Sequence, residues 1–559
     1  MRFIFGRLGS VVRHPFWGVL LLLLVQGYFL HTWPAFHHFE ESGRLYFLES
    51  LVQDGSISID PALERYGVPG IVTAARDGRH YMDKAPGLAF VALPVYLLLN
   101  LAGVTEALHW SVLWPLLTFL CLTLPSLVLT VLLYRLTRDL SGRFDVALGL
   151  AATYAVASPA LVYSTVFMSH QLAAVFLFVA FYLLRPTSLS PIGSRRAASA
   201  GMLIGLALVT EYQVALPAVG LACFGWLQAA TMRRRLWLLG GTAAPLLLLF
   251  AYHTAAFGHP LFFPSAAGGS GELAHSGGEG LQGFSYPTLE RAHAVLFSAR
   301  RGLLYATPYL ALWPLAIIKL FSAPSWRRGR FVVVWSGLAH IVFILGYSHW
   351  MGEQNAGPRY LVPVLPFLIL PLAALWRPGR AEIFFESLRG GVLPGLVAVA
   401  GLHWLLAHAT FPYHPAGLSH PLFDLSLPLA LHGCVAPSLP ATLGLISESM
   451  RTSLHIFLLL LASSGLWLYW ATRRSDGRRR MQVRVFMVVL ALASFLAVFG
   501  AQVLWAPLPE RQEAVTIRGG VKSLMRCGPF IIKRREPLAQ DTIHPPMGGD
   551  ARVFPGGKR

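Results

Sequence analysis

Apolar blocks recur along this chain, on the scale of the ~20 residues that a helix needs to cross a bilayer. Leu20 to Leu24 and Leu246 to Phe250 mark the centres of two such blocks. Charge is scarce between them: 55% of the 559 residues are hydrophobic and only 13% are charged. A soluble domain carries about 25% charged residues, so the deficit is too large for a surface facing water. The chain is read as an all-α, multi-pass integral membrane protein.

The formal net charge of +19 would suggest nucleic acid in a soluble protein. Here the arginines sit in short clusters between apolar blocks, and no basic groove interleaved with aromatics is present. They read as topology signals that also meet anionic headgroups. The cysteines, Cys121, Cys223, Cys434 and Cys527, are scattered without zinc-ligand spacing. Cys121 and Cys223 fall inside apolar blocks and are expected to be packing residues. Arg2, Arg7 and Arg13 precede the first block, and His31, Trp33 and Pro34 follow it where a signal peptide would have small residues. That block is read as an uncleaved first span.

Arginine clusters at 2–13, 135–143, 185–196, 233–235, 327–330, 377–389 and 473–480 belong in the cytoplasm by the positive-inside rule. An even number of crossings must then separate neighbouring clusters. About thirteen spans satisfy this, near 15–33, 109–134, 145–163, 170–185, 198–212, 214–231, 236–256, 303–321, 330–348, 358–376, 391–409, 452–472 and 483–505. The N-terminus is inside. Pro86 to Leu101 is apolar, but counting it as a span breaks the parity of every later cluster. It is expected as a short helix lying on or dipping into the outer face.

The domain layout is then one transmembrane domain over 1–505 and a short basic outer tail over 506–559. Its outer loops are 34–108, 257–302, 349–357 and 410–451. The glycine-rich stretch 265–283 is a lid or a linker. No internal repeat is seen, which weakens a transporter reading.

The first outer loop holds Glu40, Glu41, Glu49, Asp54, Asp60, Glu64, Asp77 and Asp83. Glu49, Asp54, Asp60 and Glu64 are taken as solvating the loop. Glu40, Glu41 and Asp83 stand at its two ends, where it meets the membrane and a carboxylate needs a partner or a task. Cations ring the same boundary: Arg44, Lys84, Arg300, Arg301 and Arg359. They disfavour an outer position statistically, so they suggest an anionic ligand at headgroup depth, and arginine matches phosphate oxygens in a bidentate way. Arg300 and Arg301 read equally well as snorkelling to lipid headgroups. Polar residues in short outer turns complete the set: Ser169-His170-Gln171, Thr210-Glu211-Tyr212 and His349 to Glu353. Glu211 must face a polar cavity or pair with a cation.

Taken in order, Glu-Glu-Ser-Gly-Arg at 40–44, Leu-Val-Gln-Asp-Gly-Ser-Ile at 51–57 and Asp-Gly-Arg-His-Tyr-Met-Asp-Lys-Ala-Pro-Gly at 77–87 have a familiar pattern. Thr-Glu-Tyr at 210–212, Phe-Ser-Ala-Arg-Arg-Gly-Leu at 297–303 and Gly-Pro-Arg-Tyr-Leu-Val-Pro at 357–363 extend it. The series resembles bacterial membrane glycosyltransferases of the GT-C fold, in particular the protein mannosyltransferase and lipid A aminoarabinose transferase group. The resemblance implies a polytopic helical bundle in the bacterial plasma membrane with its active site facing outward. It implies a polyprenyl-phosphate-linked sugar as donor and an acidic general base in the first outer loop, giving an inverted product. Here Glu40-Glu41 stands where the family has Asp-Glu, and Glu211 stands where it often has lysine.

On that reading Glu41 or Glu40 is the base, with Asp83 as the second carboxylate. Arg359, Lys84, Arg300, Arg301 and Arg44 bind the donor phosphate. Glu211, Tyr212, His170, His349, Glu353 and Tyr360 line the substrate pocket. Gly352 and Gly357 let the backbone approach the donor. The donor is a polyprenyl-phosphate hexose or pentose, the acceptor an envelope lipid, polysaccharide or protein, and a divalent cation stays open. The rival reading is a flippase or transporter for lipid-linked sugars, or a non-catalytic assembly subunit.

Overall fold

The structure is a computed structural model that describes residues 26–28, 30–32, 39–66, 73–108, 110–185, 192–262, 285–347, 349–352, 354–378, 382–415, 417–445 and 480–505. The span at 452–472, the glycine-rich stretch 265–283, most of the span at 15–33, Glu353 and the tail from 506 lie outside the described residues.

Among the described residues, helices stand where the apolar blocks were, as they must if every backbone group in hydrocarbon is to be paired within its own segment. Among the described residues, Val112–Ser141, Met232–Phe257, Arg359–Trp376 and Glu382–Ala409 are long and apolar enough to cross a membrane. Shorter apolar helices include Phe144–Val156, His170–Leu184, Pro308–Phe321, Arg330–Gly346 and Val488–Leu504. Proline sets most departures from regular helix. The block at 145–163 breaks before Pro159 into Phe144–Val156 and Ala160–Tyr163. Pro363, Pro366 and Pro371 turn 359–376 into alternating 3₁₀ and α pieces. Two ends run past their expected limits, to Ser141 and back to Glu382.

Burial is inverted relative to a soluble bundle. On Arg330–Gly346, Phe331, Trp335, Leu338 and Val342 are exposed at helical spacing, while Ser336 and His340 are buried. An outward apolar stripe with polar residues inside suits lipid rather than water. His170–Leu184 is the central helix and is buried over most of its length. Beside it, Ser194–Thr210 lies against Met232–Phe257 at backbone contact. A Cβ on Gly201 would sit 2.1 Å from the carbonyl of Leu238, and one on Gly205 2.4 Å from that of Thr242. This Gly-x-x-x-Gly seam is the small-residue packing that membrane helices use in place of a hydrophobic drive.

The segment expected as the first outer loop is built of Phe39–Asp54, Asp60–Tyr66, an antiparallel hairpin and Gly87–Leu101. The hairpin pairs Thr73–Arg76 with Arg79–Met82 around Asp77 and Gly78, both at positive φ, the turn chemistry of an Asp-Gly hairpin. Gly87–Leu101 is the expected short helix. Its first half is buried and Leu97, Leu98 and Leu101 are exposed at its far end. A Cβ on Gly87 would fall 2.6 Å from the Thr210 Cα, so the helix start is pressed against the Glu211 turn.

Two expectations change. Glu49 does not solvate the loop. It is buried, accepts from Tyr66 at 2.8 Å and from Tyr96, and fastens Phe39–Asp54 to Gly87–Leu101. Cys121 is buried in packing, but Cys223 is exposed, because it lies with Val219 and Leu227 on the uncovered stripe of Ala215–Gln228.

Candidate active site

Glu40 and Glu41 occupy the first turn of Phe39–Asp54, where the helix dipole and unpaired N–H groups favour negative charge. Neighbouring residues on a helix point about 100° apart, so the two carboxylates go to different partners.

Glu40 turns to arginines. Its Oε1 lies 2.9 Å from Arg359 Nη2 and its Oε2 3.5 Å from Arg44 Nη2. Arg44 also donates to the Glu40 carbonyl at 3.0 Å and to Ser169 Oγ at 2.8 Å. Ser169 in turn donates to Glu211 Oε1, which lies 2.9 Å from His170 Nδ1. The Glu211 turn, the His170 turn, the first loop and Arg359 therefore meet in one charged cluster, with the His170 ring beside the Glu211 carboxylate. Arg44, Arg301 and Arg359 are each at most 3% exposed.

Glu41 turns the other way. Phe167 N donates to its Oε1 at 2.6 Å and Tyr413 Oη to its Oε2 at 2.9 Å. It is wholly buried, and burial pushes its carboxyl up to about 8. Asp83 is raised too, chiefly by burial. Lys84 Nζ, 2.6 Å away, opposes that shift, and the charge of Glu40 adds to it.

Arg301 donates to Asn355 Oδ1 at 3.3 Å and to the His414 carbonyl at 3.5 Å. Arg300 sits half-buried beside it. Arg359 donates to Tyr360 Oη at 2.8 Å, while its Nε and Nη1 have no hydrogen-bond partner among the described residues. Leaving such a donor unpaired in a buried site costs about 1–3 kcal/mol, and more when charged, so this geometry suits an anion. Tyr360 stacks edge-on to His170 and Tyr347, with ring centroids at 5.5 Å and 5.8 Å, and His349 lies against Tyr347.

The structure thus brings together Glu40, Glu41, Arg44, Asp83, Lys84, His170, Glu211, Arg301, Arg359 and Tyr360. Tyr212 is at the edge, its hydroxyl 3.0 Å from His253 Nε2. The expectation for Gly352 and Gly357 is corrected. Both have positive φ, but a Cβ on Gly352 would meet Arg359 Nε at 2.6 Å, and one on Gly357 would meet Trp404 Cη2 at 2.4 Å. They admit protein side chains to the backbone. Sequence reasoning passed over Tyr347, Asn355, Tyr413 and His414. The Phe411-Pro-Tyr-His run just after an apolar block was the available signal for the last two. Among the described residues, no group of three or more His, Cys, Asp or Glu is placed to hold a metal ion.

In fold, the chain is similar to ArnT from Cupriavidus metallidurans. The crystal structure of that protein bound to undecaprenyl phosphate aligns over 87% of this chain and 76% of that one, at 16% identity and a TM-score of 0.47. Its apo state aligns over 89% and 78%, at 17% identity and a TM-score of 0.44. ArnT is a lipid A aminoarabinose transferase, one of the groups the sequence resembles. No protein-family model and no curated protein matches the chain.

Proposed function

We propose that this protein is a membrane glycosyltransferase that moves a hexose or pentose from a polyprenyl-phosphate donor to an envelope lipid, polysaccharide or protein on the outer face of the plasma membrane. The observation that carries the reading is Arg359. One end of its buried guanidinium holds Glu40 at 2.9 Å, and Nε and Nη1 have no partner among the described residues.

In the reaction, Glu40 takes the proton of the acceptor hydroxyl. The acceptor oxygen bonds to the anomeric carbon from the face opposite the phosphate, and the breaking C–O bond leaves its electron pair on the phosphate. Charge on that phosphate grows through an oxocarbenium-like transition state. Arg359, with Lys84, Arg301 and Arg300 near by, stabilises that charge more in the transition state than in the ground state. Arg44 holds Glu40 in place, and Asp83 orients Lys84. Tyr360, Tyr212, His170, His349 and Glu211 border the space for the sugar.

The outer orientation has support in Cys434, which is disulfide-bonded. Disulfides persist in oxidising compartments, and Cys434 shares a loop with Tyr413 and His414, which touch the charged cluster.

The test uses purified protein in nanodiscs with a panel of radiolabelled polyprenyl-phosphate sugars, following release of free polyprenyl phosphate. Turnover that disappears in Glu40→Gln and falls in Asp83→Asn supports the reading. A donor that binds and crosses the bilayer without being consumed replaces it with a flippase.

A further inference from the structure

The pair Glu40-Glu41 offers two candidates for one base, and their surroundings separate them. Glu41 has both carboxylate oxygens engaged, by the Phe167 amide and the Tyr413 hydroxyl, and is 0% exposed. No part of Glu41 is open to an acceptor hydroxyl, whereas Glu40, also paired at both oxygens, keeps 6% exposure and lies against Arg359.

We propose that Glu41 is a positioning residue, a clasp that holds the 164–169 turn and the 411–414 segment against the start of Phe39–Asp54, and that it is not the base. The proposal rests on the glycosyltransferase reading, with Glu40 as base.

Each bond of the clasp leads to a charged group. Phe167 lies two residues before Ser169, which bridges Arg44 to Glu211. Tyr413 precedes His414, whose carbonyl accepts from Asn355 N at 3.1 Å and from Arg301 Nη2 at 3.5 Å. Asn355 holds Arg301 a second time through Oδ1 and lies on the loop that runs into Arg359. Through one carboxyl, therefore, Glu41 sets the position of Arg44's partner on one side and of Arg301 on the other. Its chemistry suits the task. The Glu41 carboxyl accepts the Phe167 N–H on one oxygen and the Tyr413 O–H on the other. A glutamine keeps both contacts: its carbonyl accepts from Phe167, and its amide donates to Tyr413, whose phenol oxygen accepts as well as donates.

The experiment compares Glu41→Gln, Glu41→Ala, Tyr413→Phe and Glu40→Gln in nanodiscs by three readouts. They are turnover of a polyprenyl-phosphate sugar, affinity for undecaprenyl phosphate, and amide hydrogen exchange over 160–172, 354–362 and 408–416. Glu41→Gln is expected to keep turnover within about tenfold of the wild type, the scale of one altered hydrogen bond, with exchange unchanged. Glu41→Ala is expected to speed exchange in all three segments, weaken undecaprenyl phosphate binding and lower turnover about 10²-fold, the scale of a misplaced catalytic group. Tyr413→Phe should speed exchange at 354–362 and 408–416 but not at 160–172.

Glu41→Gln as inactive as Glu40→Gln, with exchange unchanged, overturns the proposal and makes Glu41 the base. Exchange unmoved in Glu41→Ala overturns the clasp on structural grounds. If the wild type consumes no donor, the glycosyltransferase reading fails, and the exchange data still decide whether Glu41 clasps these segments.

Discussion

The charged cluster and the paired helices Ser194–Thr210 and Met232–Phe257 are both buried and tightly packed, yet different forces hold them. In the helix pair, Gly201 and Gly205 bring backbone onto backbone, and outward residues such as Leu236, Leu247 and Leu248 are exposed. Contact there is van der Waals contact, set by the absence of a side chain and by no particular hydrogen-bond partner. In the cluster, Glu40 meets Arg359 and Arg44, Arg44 meets Ser169, and Ser169 meets Glu211. Each bond has one partner, and truncating one end leaves a buried charge uncompensated. Damage to the helix pair should therefore register as lost stability with intact chemistry, and damage to the cluster as lost chemistry.

The sharpest way to break that contrast is Glu40→Gln. Turnover should fall about 10²–10⁴-fold, the contribution of a general base, while undecaprenyl phosphate still binds, as measured by direct titration in nanodiscs. A modest loss would remove the distinction between cluster and scaffold. Gly201→Leu tests the other side. Forcing a side chain into the Leu238 carbonyl should cost about 1–3 kcal/mol, seen as a lower thermal midpoint, with turnover per folded molecule unchanged.

Gly352→Ala probes the boundary between the two regions. It adds a Cβ 2.6 Å from Arg359 Nε at a φ of +60°. Displacing that guanidinium should raise the donor KM on the order of tenfold, equivalent to about 1.4 kcal/mol, with a smaller change in kcat.

The smallest effect is a pH dependence. The Glu41 carboxyl is raised from 4.5 to about 8 in the folded protein, with burial as the main cause. The unfolded chain releases this proton first, so the associated stability is present in full below 4.5 and is lost as pH rises towards about 8. Glu41→Gln has no proton to lose there. The difference in thermal midpoint between wild type and Glu41→Gln should shift in favour of the variant between pH 5 and 8. A difference flat with pH would show that the carboxyl does not titrate in that window.

How far the sequence could be read varies with the range of the interaction. Phe144, His170 and Arg330 begin helices close to where hydropathy and arginine spacing placed them, because an apolar block long enough to span has only helix open to it. Pro159 and Pro363 could also be anticipated as breaks. Glu40, Glu41, Arg44, Asp83 and Arg359 stood out as charges at a membrane boundary, where position alone makes them costly. Tyr413 and Asn355 did not, since a tyrosine or asparagine in a loop is ordinary until its partner is known. The Asp77-Gly78 turn carried a hairpin signal, but in a chain read for helices it passed as loop.

What the sequence determined by itself was local: the helical membrane architecture, its punctuation, and the short roll of charges that had to find partners. The tertiary structure alone decided which partner each found. Glu40 and Glu41 are adjacent and chemically identical, and the first went to arginines while the second went to a backbone amide and a phenol. Helix geometry turns neighbours about 100° apart, and what waits in each direction, Arg44 apart, comes from residues more than a hundred positions away. Pairings at that separation follow from packing the whole bundle, so no window of sequence contains them.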